Sequence, residues 1–314
     1  MQISSRLTVR LATVAAVAAL ALTGCTTASQ GGGSGAGSTG GATAASFDPG
    51  TVAKDPALIA ELPAAMKGQT TLTVGTDTSY APAEFLGGAD GQTPEGYDVD
   101  LAKAIAATLG MTAKVQTAEF SSILPSLGAK YNLGISSFTI NPERAKAVNF
   151  VSYFNAGVLW AVQKGNPKGI TMDNLCGKKV GVQTGTIEEN PDVSGRSAAC
   201  VKAGKPAIDI VSLKNQTDVT TRLVNGSIDA MSADSPIIGY ALSQTGGQLQ
   251  TLGKVYDGAP EGIAIAKNDM ALTNVIGKVM NKLIDDGTYG KILKAWNNTE
   301  GAVTKAEVNP VVTQ

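Results

Sequence analysis

Hydrophobic and polar positions along this chain repeat with two different periods, and the places where the period changes outline its elements. From Thr70 the stretch TLTVGTD alternates side to side, which predicts a strand ending in the turn Gly75-Thr76-Asp77. Leu101, Ile105 and Leu109 then recur at helical spacing behind Asp98 and Asp100, acidic groups that suit the positive end of a helix, and Gly110 is placed to stop it. A short strand at 113–117, an apolar helical turn around Ile123 to Leu127 and a strand at 133–136 follow. Alternating strand and helix predicts a parallel α/β sheet. The series starts again at Lys178, where KKVGVQTGT runs from strand into glycine turn, followed by strands at IDIVSL and at 228–231. GVLWAVQKGNP, between the two series, and GIAIAKND near residue 265 are β-rich runs expected to cross between two lobes as a hinge. Val275, Ile276, Val279, Met280, Leu283 and Ile284 make the apolar stripe of a helix closed by Gly287, and Tyr289, Ile292, Leu293 and Trp296 mark another. After Ala302 the tail is polar and is expected to be loosely held.

A different pattern precedes this body. Arg6 and Arg10 stand before an apolar run from Leu11 to Leu22, about a dozen residues where a bilayer core needs roughly 20, so the run is expected to be a secretory signal. Leu22-Thr23-Gly24-Cys25 resembles the bacterial lipobox, which implies cleavage before Cys25 and lipid on its thiol; the alternative is an ordinary signal with an incidental cysteine. The Gly/Ser/Thr/Ala tract after it is too poor in apolar side chains to fold and suits a tether. The expected organisation is a signal at 1–24, a lipidated cysteine and tether at 25–66, one lobe at 67–157 plus 258–300, a second at 158–257, and a tail at 301–314.

Composition narrows the chemistry. A length of 314 residues suits about two domains, and 43% hydrophobic against 16% charged residues supplies cores for both. Net charge is -1, and removing the leader's two arginines leaves 23 basic and 26 acidic residues, too few cations for nucleic acid. The chain has no histidine, which excludes Ser-His-Asp and Cys-His catalysis and His-ligated zinc; no metal and no cofactor is expected. Cys176 and Cys200 remain in an exported chain without a CxxC motif. A disulfide between them would close a loop of about 25 residues and stabilise by roughly 3 kcal/mol; two buried thiols are the alternative.

Several segments carry candidate binding chemistry. In Ser136-Ser137-Phe138-Thr139-Ile140-Asn141-Pro142-Glu143-Arg144, Asn141 caps a helix with Pro142 in its first position. Arg144 and the hydroxyls of Ser137 and Thr139 then suit a carboxylate, unless Arg144 merely pairs with a surface acid. Asp234 follows the apolar strand IDAM, at a strand's carboxyl end where α/β sheets bind ligands, and either meets an ammonium or only caps the helix beginning at Pro236. Asp77 holds the same place in the first series, with Tyr80 three residues on. Thr184-Gly185-Thr186, after Gln183, offers backbone donors to an anion but lacks the Lys-Ser/Thr of a phosphate loop. Phe120 and Tyr80 are core residues or ligand platforms.

GYDVDL at 96–101, with Ile105, Ala106 and Leu109 beyond it, resembles the signature of the family 3 bacterial solute-binding proteins, which serve polar amino acids and opines. GTDTSYAPAEF, ILPSLGAKYNLGISSFTINPERAKAVNF, KKVGVQTGT, GSIDAMSADS and IDDGTYGKILKAW resemble the same family in the same order, over roughly residues 70 to 298. The resemblance implies a two-lobe periplasmic-binding-protein fold of type II with two hinge crossovers. It implies an ABC importer's permease as partner and an amino acid as ligand, held by hinge closure of a monomer. It assigns the α-carboxylate to Arg144 with Ser136, Ser137 and Thr139, the α-ammonium to Asp234, and the side chain to Asp77, Tyr80 and Phe120, the last stacking opposite Tyr80. Gln183, Thr186 and Ile187 fall at second-lobe contact positions. Ala83, Asn141 and Ile187 depart from the family's usual phenylalanine, threonine and small or hydroxyl residue, which bears on the choice of ligand. An enzyme on the same scaffold, resembling cyclohexadienyl dehydratase, and a ligand-sensing module are the competing functions.

Overall fold

The computed structural model describes residues 47–312; the signal, Cys25 and the expected tether up to residue 46 lie outside them. The remainder of that stretch, 47–66, is no loose tether, since it forms a short helix at Pro56–Ala60 and buries Leu58, Leu62 and Met66 in the core. In chain order the strands are β1 (Thr71–Thr76), β2 (Ser79–Tyr80), β3 (Glu84–Gly87), β4 (Thr93–Glu95), β5 (Thr112–Thr117), β6 (Leu133–Gly134), β7 (Val148–Gln163), β8 (Lys179–Gln183), β9 (Asp209–Leu213), β10 (Ala230–Asp234) and β11 (Leu249–Ala266). The α-helices are α1 (Pro56–Ala60), α2 (Tyr97–Thr108), α3 (Phe120–Ile123), α4 (Pro142–Ala147), α5 (Ser194–Lys202), α6 (Gln216–Val224), α7 (Ser235–Gln244), α8 (Met270–Asp285) and α9 (Thr288–Ala295).

Eight strands form one sheet in the order β5-β1-β6-β11-β7-β10-β8-β9. Its two wings, β5-β1-β6 and β10-β8-β9, are parallel as the strand–helix alternation predicts. The centre is antiparallel, because β7 and β11 run along each other from one wing to the other. This is a two-lobe α/β fold in which β7 and β11 are the crossings. Their pairing slips between Leu252 and Tyr256, again before Ala259, and again at Glu261/Gly262, so the regular ladder is interrupted where the chain passes between lobes. Both crossings are longer than the apolar runs predicted at 157 and 265.

The largest buried cluster spans both wings: Leu72, Val74, Leu101, Ile105 and Leu133 with Ile263, Ile276, Val279 and Leu283, and Val219, Leu223, Met231 and Ile237 of the second wing, belong to it. Val158, Trp160, Val180, Val182 and Ala230 form a separate cluster in the second wing. Burial of each such side chain contributes roughly 1.5–3 kcal/mol before entropy is counted. A disulfide joins Cys176 to Cys200, with Cα atoms 5.5 Å apart, and ties the start of the second wing to α5.

The tail is not loosely held. Gly301, Glu307 and Phe150 carbonyls accept bonds from Asn155, Ser152 and Asn309 amides, while Ala306 is buried and Val303 and Val308 pack on the core. Apolar residues spaced through this polar stretch find a partner in β7, some 150 positions earlier, which a local reading does not see.

Candidate functional site

The GYDVDL segment earns its place by what it supports. Gly96 takes φ 127°, and a Cβ there would collide with the Ala83 carbonyl, so only glycine admits this approach. The approach lets the Tyr97 and Asp98 amides donate to Pro82 and Ala83. Asp98 does more than suit the helix dipole: buried, it accepts from the Ser137 amide at 3.0 Å and from the Tyr153 hydroxyl at 2.8 Å. Those bonds hold Ser137 at φ 47°, a left-handed conformation that costs a non-glycine residue on the order of 1–3 kcal/mol. Asp100 accepts from the Trp296 indole and fastens α2 to α9.

Arg144 sits in the first turn of α4, where Asn141 accepts from its amide at 2.8 Å as the sequence predicts. Its guanidinium lies 5.3 Å from the Phe120 ring centre and 5.9 Å from that of Phe138, and these two rings stack on each other at 4.8 Å. Phe120 thus stacks on Phe138 and lines the same space as Tyr80. One guanidinium nitrogen donates to the Thr139 carbonyl at 2.9 Å and another crosses to the Gly185 carbonyl of the opposite lobe at 3.1 Å.

Asp234 ends β10, and although it occupies the cap position of α7 its side chain makes no capping bond. It accepts instead from the Tyr80 hydroxyl across the cleft at 2.8 Å. The choice left open by the sequence thus falls against the capping role. Two further bonds cross between the lobes: Gln183 donates to Asp77 at 3.0 Å, and the Gln216 amide to Ser79 at 3.0 Å. Glu119 and Lys214 add an exposed ion pair.

Tyr80, Phe120, Ser137, Thr139, Arg144, Thr186, Ile187, Glu188 and Asp234 surround one narrow space of about 10 Å³. Eight of these nine were named from sequence. Asp77, Ser136 and Gln183 stand behind the lining. Asp77 accepts from the Ser79 amide and hydroxyl, the Phe120 amide and Gln183, so both its oxygens are occupied. The Ser136 hydroxyl accepts from the Asp77 amide and donates to Glu84.

Glu188 was missed. No spacing marks it, and it opens an irregular turn in which Asn190 is extended and Pro191 interrupts the helix. It is buried, and one of its oxygens has no hydrogen-bond partner.

Burial is the main cause of every acid shift here. It pushes Glu188 up to about 8, helped by the Asp234 charge, and Asp234 up to about 6, against the pull of Tyr80 and Arg144. Asp98 also rises to about 6, while Glu84 and Glu261 are driven well above the ordinary carboxylate range. Arg144 is pulled below its usual value by burial, opposed by Glu188 and Asp234.

An acid whose folded pKa exceeds its unfolded one near 4 stabilises fully below that value and loses the contribution as pH rises through the folded pKa. The ligand-free protein should therefore melt at progressively lower temperature as pH is raised from about 5 through about 6 and then about 8. Calorimetry across that range checks it, and Glu188→Gln should remove the upper part of the fall; a flat profile would contradict the shifts.

Comparison with known proteins gives a consistent picture. The model of the bacterial extracellular solute-binding proteins, family 3, matches residues 72–299. An arginine-binding protein of Corynebacterium glutamicum is 35% identical over 255 residues, covering 81% of this chain and 83% of that one. A solved ancestral arginine-binding protein bound to arginine superposes with a TM-score of 0.66 at 32% identity, covering 73% of this chain and 98% of its own. An ancestral amino acid-binding protein, a precursor of cyclohexadienyl dehydratase, superposes at 0.63 with 31% identity, covering 74% of this chain and 97% of its own.

Proposed function

The chain belongs to the bacterial extracellular solute-binding proteins of family 3, and from that membership we propose that it is the lipid-anchored binding protein of an ABC importer for a polar amino acid, neutral or cationic. Its lobes, residues 67–157 with 258–300 and residues 158–257, close on the ligand as a monomer and present the closed form to a permease. The observation that carries this reading is the sharing of one space by Arg144 and Asp234 from opposite lobes. A zwitterion has an anion for the first and a cation for the second, and a ligand touching both lobes favours the closed state by its differential contacts.

Ser137 and Thr139 assist Arg144 with the carboxylate, and Tyr80, Phe120, Thr186 and Ile187 enclose the rest. Asp77, Ser136 and Gln183 act from behind, holding Phe120 and the lobe contact in place. Arginine in the names of the similar proteins supports the cationic end of the ligand range.

A thermal-shift panel of amino acids and opines tests the reading. Neutral polar or cationic amino acids should raise the melting temperature. No shift with any member, or a larger one with glutamate than with glutamine, arginine or lysine, would overturn it. No chemistry is proposed at the site, and a prephenate-like compound incubated with the protein should be recovered unchanged by mass spectrometry. The anchor rests on Cys25 and the segment before it; Cys25→Ala should move the protein from the membrane fraction to the medium, and unchanged membrane retention would refute lipidation there.

A further inference from the structure

Two buried acids and one cation meet in the cleft. Glu188 and Asp234 line the same space as Arg144, and Glu188 keeps one oxygen without a partner. With Asp234 ionised, a zwitterion would already satisfy both Arg144 and Asp234, leaving Glu188 as an extra acid. In a space walled by protein an unbalanced charge is costly, so the protonation of Glu188 must follow the net charge of what enters.

Resting on the binding of an amino acid in this cleft, we infer that Glu188 sets the charge class of the ligand: it keeps its proton when a neutral zwitterion binds and releases it to solvent when a cationic amino acid binds. The step balances, since the carboxylic acid becomes a carboxylate, its proton leaves to buffer, and the ligand's added positive charge takes its place. The site thereby accepts both classes without an uncompensated charge in either complex.

The groups around Glu188 agree with this division. Asp234 from β10 favours its acid form, and Arg144 from α4 opposes that. Tyr80 from β2 also feels the Glu188 charge and is itself held far above its ordinary value by burial, so it stays a neutral phenol. Glu261 from β11 is a further buried acid in the field of Glu188 and Asp234, and burial above all keeps it protonated. Glu189, next along the chain, is engaged by the Gly185 amide at 2.6 Å. Asp234 at about 6 and Glu188 at about 8 both lie near neutrality, and of the two it is Glu188 that still holds its proton at pH 7 and so has one to release.

Calorimetric titrations at pH 7 in buffers of different ionisation enthalpy count the protons exchanged. Arginine and citrulline are suitable probes, alike in shape and differing in side-chain charge. The wild type should release about one proton per arginine and close to none per citrulline. Glu188→Gln should release close to none with either, and should weaken arginine relative to citrulline by roughly tenfold or more. Equal proton counts for the two ligands in the wild type would overturn the inference without touching the amino-acid reading, and so would an unchanged arginine-to-citrulline ratio in Glu188→Gln. Failure of arginine, citrulline and every other amino acid to bind would overturn both.

Discussion

Replacing Arg144 with alanine is expected to weaken amino-acid binding by about 2–5 kcal/mol, a loss of roughly thirtyfold to several thousandfold. The reason is local. Arg144 is the cation lining the cleft, its guanidinium lies over the Phe120 and Phe138 rings, and two of its nitrogens donate to the Thr139 and Gly185 carbonyls. Lysine at this position would keep a charge but lose the planar fork and the stacking, so Arg144→Lys should recover only part of the loss. Titration calorimetry with arginine or glutamine reads the effect, and retention of wild-type affinity in Arg144→Ala would remove the carboxylate from this position.

Asp234→Asn should produce the second large loss, again in the range of about 2–5 kcal/mol. This substitution is chosen because asparagine keeps an acceptor for the Tyr80 hydroxyl, and because the Asp234 side chain does not cap α7, so the helix has little to lose. What disappears is the charge opposite the ligand's ammonium. An analogue lacking the α-amino group should then bind the wild type and Asp234→Asn equally weakly, which isolates the pairwise interaction. If the analogue loses as much as the parent amino acid on mutation, Asp234 acts through the protein and not on the ammonium.

Much of this was visible in the sequence, for reasons that are themselves physical. The wings of the sheet were legible because β1, β8 and β10 are short apolar strands ended by turn residues, and the helices because α8 and α9 carry their apolar residues at helical spacing. The crossings were only partly seen. Most of β7 is buried on both faces, so it has no alternation to read, and its pairing with β11 joins residues about a hundred positions apart. The predicted strand at 133–136 shrank to Leu133–Gly134, because the chain leaves the sheet there to place Ser136 and Ser137 at the cleft.

The same distinction applies to the site. Arg144 could be read locally, because Asn141 and Pro142 announce its helix. Asp234 could not be resolved locally, since its partner Tyr80 lies 154 positions away. Glu188 had neither a motif nor a period, and only its burial beside Asp234 and Arg144 gives it meaning. Asp98 carried a correct local signal, an acid in a first turn, but its larger task of holding Ser137 depends on contact across the fold.

The most direct test is a crystal structure of the protein with a bound polar amino acid. The ligand's carboxylate should lie within hydrogen-bonding distance of the Arg144 guanidinium and its ammonium within that distance of the Asp234 carboxylate, one from each lobe. A ligand seated in the cleft with either end directed elsewhere, or bound outside it, would contradict the two-ended grip.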